Sequence, residues 1–133
     1  MARRGGNEEM GYTIAFDPAT RALTVQAWGF WSATIATDFV EAVVEEQQRA
    51  GLVRVVAFDM GDLKPMREEG QIGWRRLIAK LATTSAIQVI SISTRSQLTK
   101  LQLLRLARES APEHLTKLQW MDGALASSGG TTR

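Results

Sequence analysis

The sequence contains no cysteine, only three prolines and one histidine among its 133 residues. Without cysteine, the chain has no disulfide framework, no thiolate metal site and no cysteine nucleophile. No apolar run approaches the roughly 18–20 residues that a membrane span needs. Arg3 and Arg4 have no apolar run behind them, so the N-terminus does not read as a secretory signal. These absences predict a cytoplasmic protein with no stable membrane insertion.

Motifs for catalysis or cofactor binding are also lacking. The sequence has no GxGxxG and no P-loop, and the single histidine, His114, follows shortly after a proline at the end of a predicted helix. The one acidic cluster that could serve a metal is Asp59, Asp62, Glu68 and Glu69. We interpret the two glutamates as charges that favour a helix N-terminus. We therefore expect no enzyme, no catalytic residues, no metal site and no cofactor.

Charge is unevenly distributed along the chain. Residues 1–70 hold 7 Lys and Arg against 11 Asp and Glu, a net charge of −4, and residues 71–133 hold 9 against 3, a net charge of +6. A basic half can indicate a nucleic-acid surface. Here the basic residues are spread over two helices and a tail, with no aromatic interleaving. We predict solvated helix faces and no nucleic-acid partner.

The hydropathy pattern predicts an α/β fold with a mostly parallel sheet, an N-terminal antiparallel hairpin strand and alternating helices, in the order β-β-α-β-α-β-α-β. The first predicted elements are strands 12–16 and 23–27 around a turn at 17–20, followed by a helix at 36–50 that is capped by Ser32 or Thr37 and ended by Gly51. Next come strand 53–59 and a helix with the apolar face Trp74, Leu77, Ile78 and Leu81. The last are strand 87–92, helix 97–110, and strand 115–120 with a short helical turn at 122–126. We expect residues 1–10 to be a disordered lead-in, 11–126 to form one domain and 127–133 to be a disordered tail.

Two elements bear on function. The strand 53–59 is apolar without alternation, which predicts that it is covered on both faces, and Asp59 then opens a loop where α/β folds place their sites. The helix 97–110 carries leucines around most of its circumference. Such a helix either has a broad core face or meets a second chain, and the sequence leaves both open.

The order of elements, Gly29 after the second strand and the loop between Asp59 and Gly70 resemble the STAS domain, in particular SpoIIAA-like anti-sigma-factor antagonists. In that family an aspartate ends the third strand and the following loop reads Asp-Ser-Ser-Gly. The tetrad stands here as Arg67-Glu68-Glu69-Gly70. The resemblance implies a SpoIIAA-like fold and a non-enzymatic binding or regulatory module. Since Glu69 occupies the place of the phosphorylated serine, it also implies that no serine phosphoswitch operates.

We therefore expect a protein partner, with a homodimer as a further possibility. The predicted partner-binding residues lie on the loop before the second predicted helix and around the leucine-rich helix: Asp62, Lys64, Arg67, Glu68, Glu69, Arg95, Leu98 and Leu101. The alternative is a carrier of a lipid-like or other small apolar ligand, which a remote likeness to CRAL-TRIO carriers suggests. Its cleft would be lined by Trp31, Trp74 and Leu104.

Overall fold

The computed structural model describes residues 2–122. In chain order its elements are β1 (Ala2–Gly6), β2 (Gly11–Asp17), β3 (Ala22–Gly29), α1 (Ala33–Ala50), β4 (Val55–Leu63), α2 (Glu68–Thr83), β5 (Val89–Thr94), α3 (Gln97–Ser110), a 3₁₀ segment (Pro112–Lys117) and β6 (Leu118–Asp122). The expected helical turn after residue 122 and the expected tail at 127–133 lie outside the described residues.

The six strands form one mixed sheet in the order β1-β2-β3-β4-β5-β6. The pairs β1/β2 and β2/β3 are antiparallel, whereas β3/β4, β4/β5 and β5/β6 are parallel. The predicted α/β class, with an antiparallel start and a parallel remainder, is confirmed at this level. Within the described residues, no helix is long and apolar enough to cross a membrane.

The first strand is the main departure from the prediction, which had residues 1–10 as a disordered lead-in. β1 pairs with β2 along its whole length, and the turn between them is closed by Asn7. The Asn7 side-chain oxygen accepts hydrogen bonds from the backbone N–H groups of Glu9 (2.8 Å) and Met10 (3.1 Å). The ring of Tyr12 occupies the space where a side chain at Gly5 would lie. A polar, glycine-bearing strand lacks the alternating apolar pattern, so its pairing could not be read from hydropathy.

All three helices cover the same face of the sheet. Each of the connections β3-α1-β4, β4-α2-β5 and β5-α3-β6 leads to the next strand in the same direction across the sheet. Because such crossovers are right-handed, α1, α2 and α3 lie on one side of the sheet. The expectation that β4 is covered on both faces is therefore wrong for the described residues. Its side chains alternate: Val56, Phe58 and Met60 are buried under the helices, whereas Ala57 and Asp59 are partly exposed on the other face.

The core between sheet and helices is built around a chain of aromatic rings. Tyr12 packs edge-on against Phe39 with ring centroids 5.4 Å apart, and Phe58 packs edge-on against Trp74 at 5.0 Å. Trp31 lies 4.6 Å from Phe39. The Tyr12 hydroxyl donates a hydrogen bond to the exposed carboxylate of Asp38. Burial, reinforced by that carboxylate, raises the pKa of Tyr12 above its ordinary value of 10.0.

Capping hydrogen bonds, a glycine and strand pairing determine where the helices and strands begin and end. The Ser32 hydroxyl accepts a hydrogen bond from the Ile35 N–H at 3.3 Å, so α1 begins at Ala33, three residues earlier than predicted. Gly51 ends this helix with a positive φ of 79°, as expected. β4 continues to Leu63 rather than ending at Asp59, because the end of β3 continues to pair with it. This extension places the start of the predicted binding loop inside the sheet.

Candidate functional site

An open cleft lies at the carboxyl ends of β3, β4 and β5, the edge at which α/β folds place their sites. Its volume is about 790 Å³. Three basic and three acidic side chains line it, together with an aromatic ring and backbone: Arg4, Glu8, Glu9, Trp28, Gly29, Gly61, Asp62, Leu63, Lys64, Arg95 and Ser96. We call this the carboxyl-end cleft. Its charged lining suits contact with polar or charged groups, and three of the predicted partner-binding residues, Asp62, Lys64 and Arg95, meet there.

The ion pair between Arg95 and Asp62 crosses the mouth of this cleft. Arg95 Nη1 lies 2.8 Å from Asp62 Oδ1, and the two side chains are 62% and 68% exposed. Gly61 lies close to the Arg95 guanidinium: a Cβ atom there would be 3.4 Å from Arg95 Nη2 and 3.4 Å from Asp59 Oδ1, which is ordinary van der Waals contact. Because both partners are well exposed, the pair adds little to folding stability and both remain open to other contacts.

The opposite wall of the cleft comes from the N-terminal hairpin. A register shift in the β3/β4 pairing brings Trp28 opposite Asp62. The Trp28 indole N–H donates to the backbone oxygen of Asn7 at 2.9 Å, and the Arg4 guanidinium lies 5.5 Å from the Trp28 ring centroid. The sequence prediction did not include Arg4, Glu8 or Trp28 in a site. The glycines at positions 5, 6 and 11 around Asn7 were the available signal for a hairpin there.

Helix α3 is fixed to the segment between β4 and α2 by side-chain hydrogen bonds. The buried Thr99 hydroxyl donates to the Leu63 oxygen at 3.0 Å. The Gln102 amide accepts from the Met66 N–H at 2.7 Å and donates to the Met66 oxygen at 2.9 Å. The Ser96 hydroxyl caps the helix by accepting from the Thr99 N–H at 3.1 Å. These contacts hold the first half of α3 rigidly beside the carboxyl-end cleft.

The outer face of α3 is not covered by the described residues. Leu98 is 69% exposed and Leu101 is 60% exposed, whereas Leu103 and Leu106 are fully buried. With 100° between successive residues, Leu101 points directly away from the buried side. We define the outer face of α3 as Leu98, Leu101, Leu104, Arg105 and Arg108. The two predicted binding leucines therefore lie on the surface, next to Arg95.

The other predicted partner-binding residues lie at the start of α2. Glu68 and Glu69 form its exposed first turn, where carboxylates are favourable to the helix dipole. The guanidinium of Arg67 lies 4.2 Å from the ring centroid of Phe30, which is 46% exposed. Because Met66 immediately precedes this turn and is held by Gln102, these three charged residues stand beside α3.

The cleft predicted for an apolar ligand does not form from its three residues. Trp31 is 5% exposed and its indole N–H donates to the Gly11 and Trp28 oxygens, while Trp74 is 1% exposed within the core. Leu104 is partly exposed on α3. Trp31 and Trp74 are used in packing, because they join the aromatic chain of the core. The carrier hypothesis therefore has no cavity lined by Trp31 and Trp74 in the described part of the chain.

Among residues 2–122, no three acidic or histidine side chains come together in an arrangement that could hold a metal ion. The four acids named from the sequence divide between two places. Asp59 and Asp62 lie on β4, with Asp59 accepting from the Gly61 N–H at 3.2 Å, whereas Glu68 and Glu69 point outward from α2.

Comparisons with known proteins bear on the family. No protein-family model matches the chain, and no curated protein matches it. Among solved structures, the chain is similar to one described as an enoyl-CoA hydratase from Geobacillus kaustophilus HTA426. The alignment covers 97% of this chain and 74% of that chain, with a TM-score of 0.45 and 8% identity.

Two expectations are corrected. The chain is not assigned to the STAS family: no family model matches it, and the solved structure that it resembles is described as an enoyl-CoA hydratase, not as a STAS domain. The expectation that the chain is not an enzyme, which the STAS resemblance implied, is withdrawn together with that resemblance. At this TM-score and identity, the match itself carries no argument about fold or activity. The role drawn from the STAS family for Glu69 loses its basis, and the site residues stand on their geometry alone.

Proposed function

We propose that this chain is a protein-binding module that holds its partner on the outer face of α3 and the adjoining rim of the carboxyl-end cleft. The observation that carries the proposal is the exposure of Leu98 and Leu101, at 69% and 60%. Single exposed leucines are common in soluble proteins and need no explanation. Two of them one turn apart on the same side of a rigid helix form a contiguous apolar surface, which is typical of an interaction site.

Folding does not require these two leucines. The side of α3 that faces the sheet is filled by Leu103, Leu106 and Ala107, each fully buried. The helix is further held by Thr99 and Gln102, which bond to the backbone before α2. Since the anchoring of α3 is complete without Leu98 and Leu101, their exposure is not a by-product of a poorly packed core.

The charged residues around the leucines supply the rim of such a surface. Interfaces commonly have an apolar centre surrounded by polar residues, with charges that select the partner and its orientation. Arg95 precedes Leu98 by three residues and is paired with Asp62 of β4, and Lys64 lines the same cleft. Arg67, Glu68 and Glu69 stand on the α2 side. Their mixed signs favour a partner of defined charge pattern over a uniformly charged polymer.

The test compares two surface variants in the organism's own extract. Leu101→Glu places a charge in the centre of the proposed surface, and Leu52→Glu places the same charge on a leucine that is 45% exposed just before β4, at the other end of the parallel strands. We expect a polypeptide that co-purifies with the wild-type chain and with Leu52→Glu to be lost with Leu101→Glu. Equal recovery with all three proteins would remove α3 from the interface and refute the proposal.

A further inference from the structure

The outer face of α3 is basic as well as apolar. α3 carries Lys100, Arg105 and Arg108 against a single acid, Glu109. That acid is already engaged, because its two oxygens lie 3.1 Å from Arg75 Nε and 3.2 Å from Arg105 Nη1. Lys100 and Arg108 form no ion pair with the described residues. Two cations thus remain available: Arg108 on the outer face, and Lys100 at the edge of that face, one turn before Leu104.

From this pattern we infer that the partner presents an acidic amphipathic helix to α3, with apolar side chains against Leu98 and Leu101 and carboxylates against Lys100 and Arg108. This inference rests on the proposed function and names the chemistry of the partner. A convex helix with exposed leucines at i and i+3 is suited to packing against the apolar stripe of another helix. Opposite charges beside that stripe then set its orientation.

A second copy of this chain fits the same surface poorly. A two-fold pairing of α3 with itself would bring the same basic helix against its own copy, and like charges placed across an interface cost binding energy. The acids nearest to α3 do not reverse this, since Glu109 is paired within its own chain and Asp62 is paired with Arg95. Glu68 and Glu69 lie in the first turn of α2, not on α3, so they do not offset the like charges of two paired α3 helices. The charge pattern of α3 therefore selects an acidic partner.

The experiment uses a synthetic amphipathic helix as the probe. It has leucines at i, i+3, i+4 and i+7 with glutamates on both flanks, and a matched peptide has lysine in place of every glutamate. Binding to the full chain is followed by fluorescence anisotropy of the labelled peptides at low and high salt. We expect the glutamate peptide to bind more tightly than the lysine peptide, with an affinity that falls as salt rises.

Three variants separate the contributions. Leu101→Glu should weaken binding of the glutamate peptide by more than about tenfold, as for a central apolar contact, and Leu52→Glu should leave it unchanged. The double variant Lys100→Glu and Arg108→Glu should reverse the preference, so that the lysine peptide binds more tightly. Circular dichroism confirms that each variant is folded. Equal affinity for both peptides, or no reversal in the double variant, would overturn the inference.

Two further outcomes of the binding experiments would overturn the acidic-helix inference. Exposed leucines with adjacent cations also suit an anionic membrane surface. Binding to vesicles that contain phosphatidylserine, with no binding of the glutamate peptide, would overturn the inference in favour of a membrane. If Leu101→Glu abolishes recovery of a co-purifying polypeptide but the glutamate peptide neither binds nor competes with it, the acidic-helix inference fails and the protein-binding proposal stands.

Discussion

Leu101 and Leu103 lie two residues apart on α3, yet we expect them to contribute very differently to stability. Leu103 is fully buried and Leu101 is 60% exposed. Leu103→Ala should cost about 2–5 kcal/mol of unfolding free energy, because it leaves a cavity under the helix. Leu101→Ala should cost less than about 1 kcal/mol, because only the minor, buried part of a side chain worth about 1.5–3 kcal/mol on full burial is lost.

The assay is urea unfolding followed by far-ultraviolet circular dichroism. With a slope of about 1–3 kcal/mol/M, the Leu103→Ala cost moves the midpoint by about 1 M urea or more, while Leu101→Ala should leave the midpoint almost unchanged. Similar losses for the two variants would refute the reasoning, since Leu101 would then be a core residue and the outer face of α3 would not be available for binding.

Two further predictions concern the frame that holds the site. Tyr12→Phe removes the hydrogen bond to Asp38 and should lower the free energy of unfolding by about 1–2 kcal/mol at neutral pH. In the wild type, the free energy of unfolding should also fall as pH rises above 10. The reason is that unfolded Tyr12 releases its proton there, while folded Tyr12, with its raised pKa, retains it. Urea unfolding across this pH range should show that additional fall in the wild type and not in the variant, and parallel curves would contradict the assignment. Gly29→Ala should cost more than about 1 kcal/mol, since φ is +88° and the new Cβ would collide with the Glu9 oxygen. Limited proteolysis should then cut residues 1–10 faster than in the wild type, and unchanged stability and cleavage would show that this contact is not required.

Much of the fold was predictable because it depends on local signals. The alternation in β2 and β3, the proline turn between them, the glycine stop at Gly51 and the apolar periodicity of α1 and α2 each act within a few residues. The bounds of α3 agree with the prediction because Ser96 caps its start and Pro112 follows its end. The mixed sheet follows from these elements and the right-handed crossover rule.

The errors arose where pairing or sheet order decides the outcome. The residues of β1 are polar and become a strand only because β2 offers an edge and Tyr12 packs over Gly5. Val55, Ala57 and Asp59 lie on one face of β4. Because Val55 and Ala57 are apolar, the sequence predicted that the strand is buried on both faces. Only the strand order, which places every helix on the opposite face, distinguishes the two cases.

The residues of the candidate site were likewise predictable only in part. Asp62, Lys64 and Arg95 could be named from the sequence because they lie at or just beyond the carboxyl ends of parallel strands, where sites in α/β folds form. Arg4 and Trp28 could not, since their positions depend on β1 and on the register shift before Asp62. For α3, the leucine pattern left open whether the helix has a broad core face or meets a second chain. Which leucines were exposed depended on the depth at which the helix is anchored through Thr99 and Gln102.

Site-specific photo-cross-linking tests the central claim most directly. A photoreactive phenylalanine analogue is introduced at Leu101 in one strain and at Leu52 in another, and both are irradiated in living cells. We predict a cross-link from position 101 to a different polypeptide, through a segment that is acidic and helical, with no such product from position 52. The same product from both positions, or none from position 101 while the chain is folded and abundant, would contradict the claim that α3 is the binding surface.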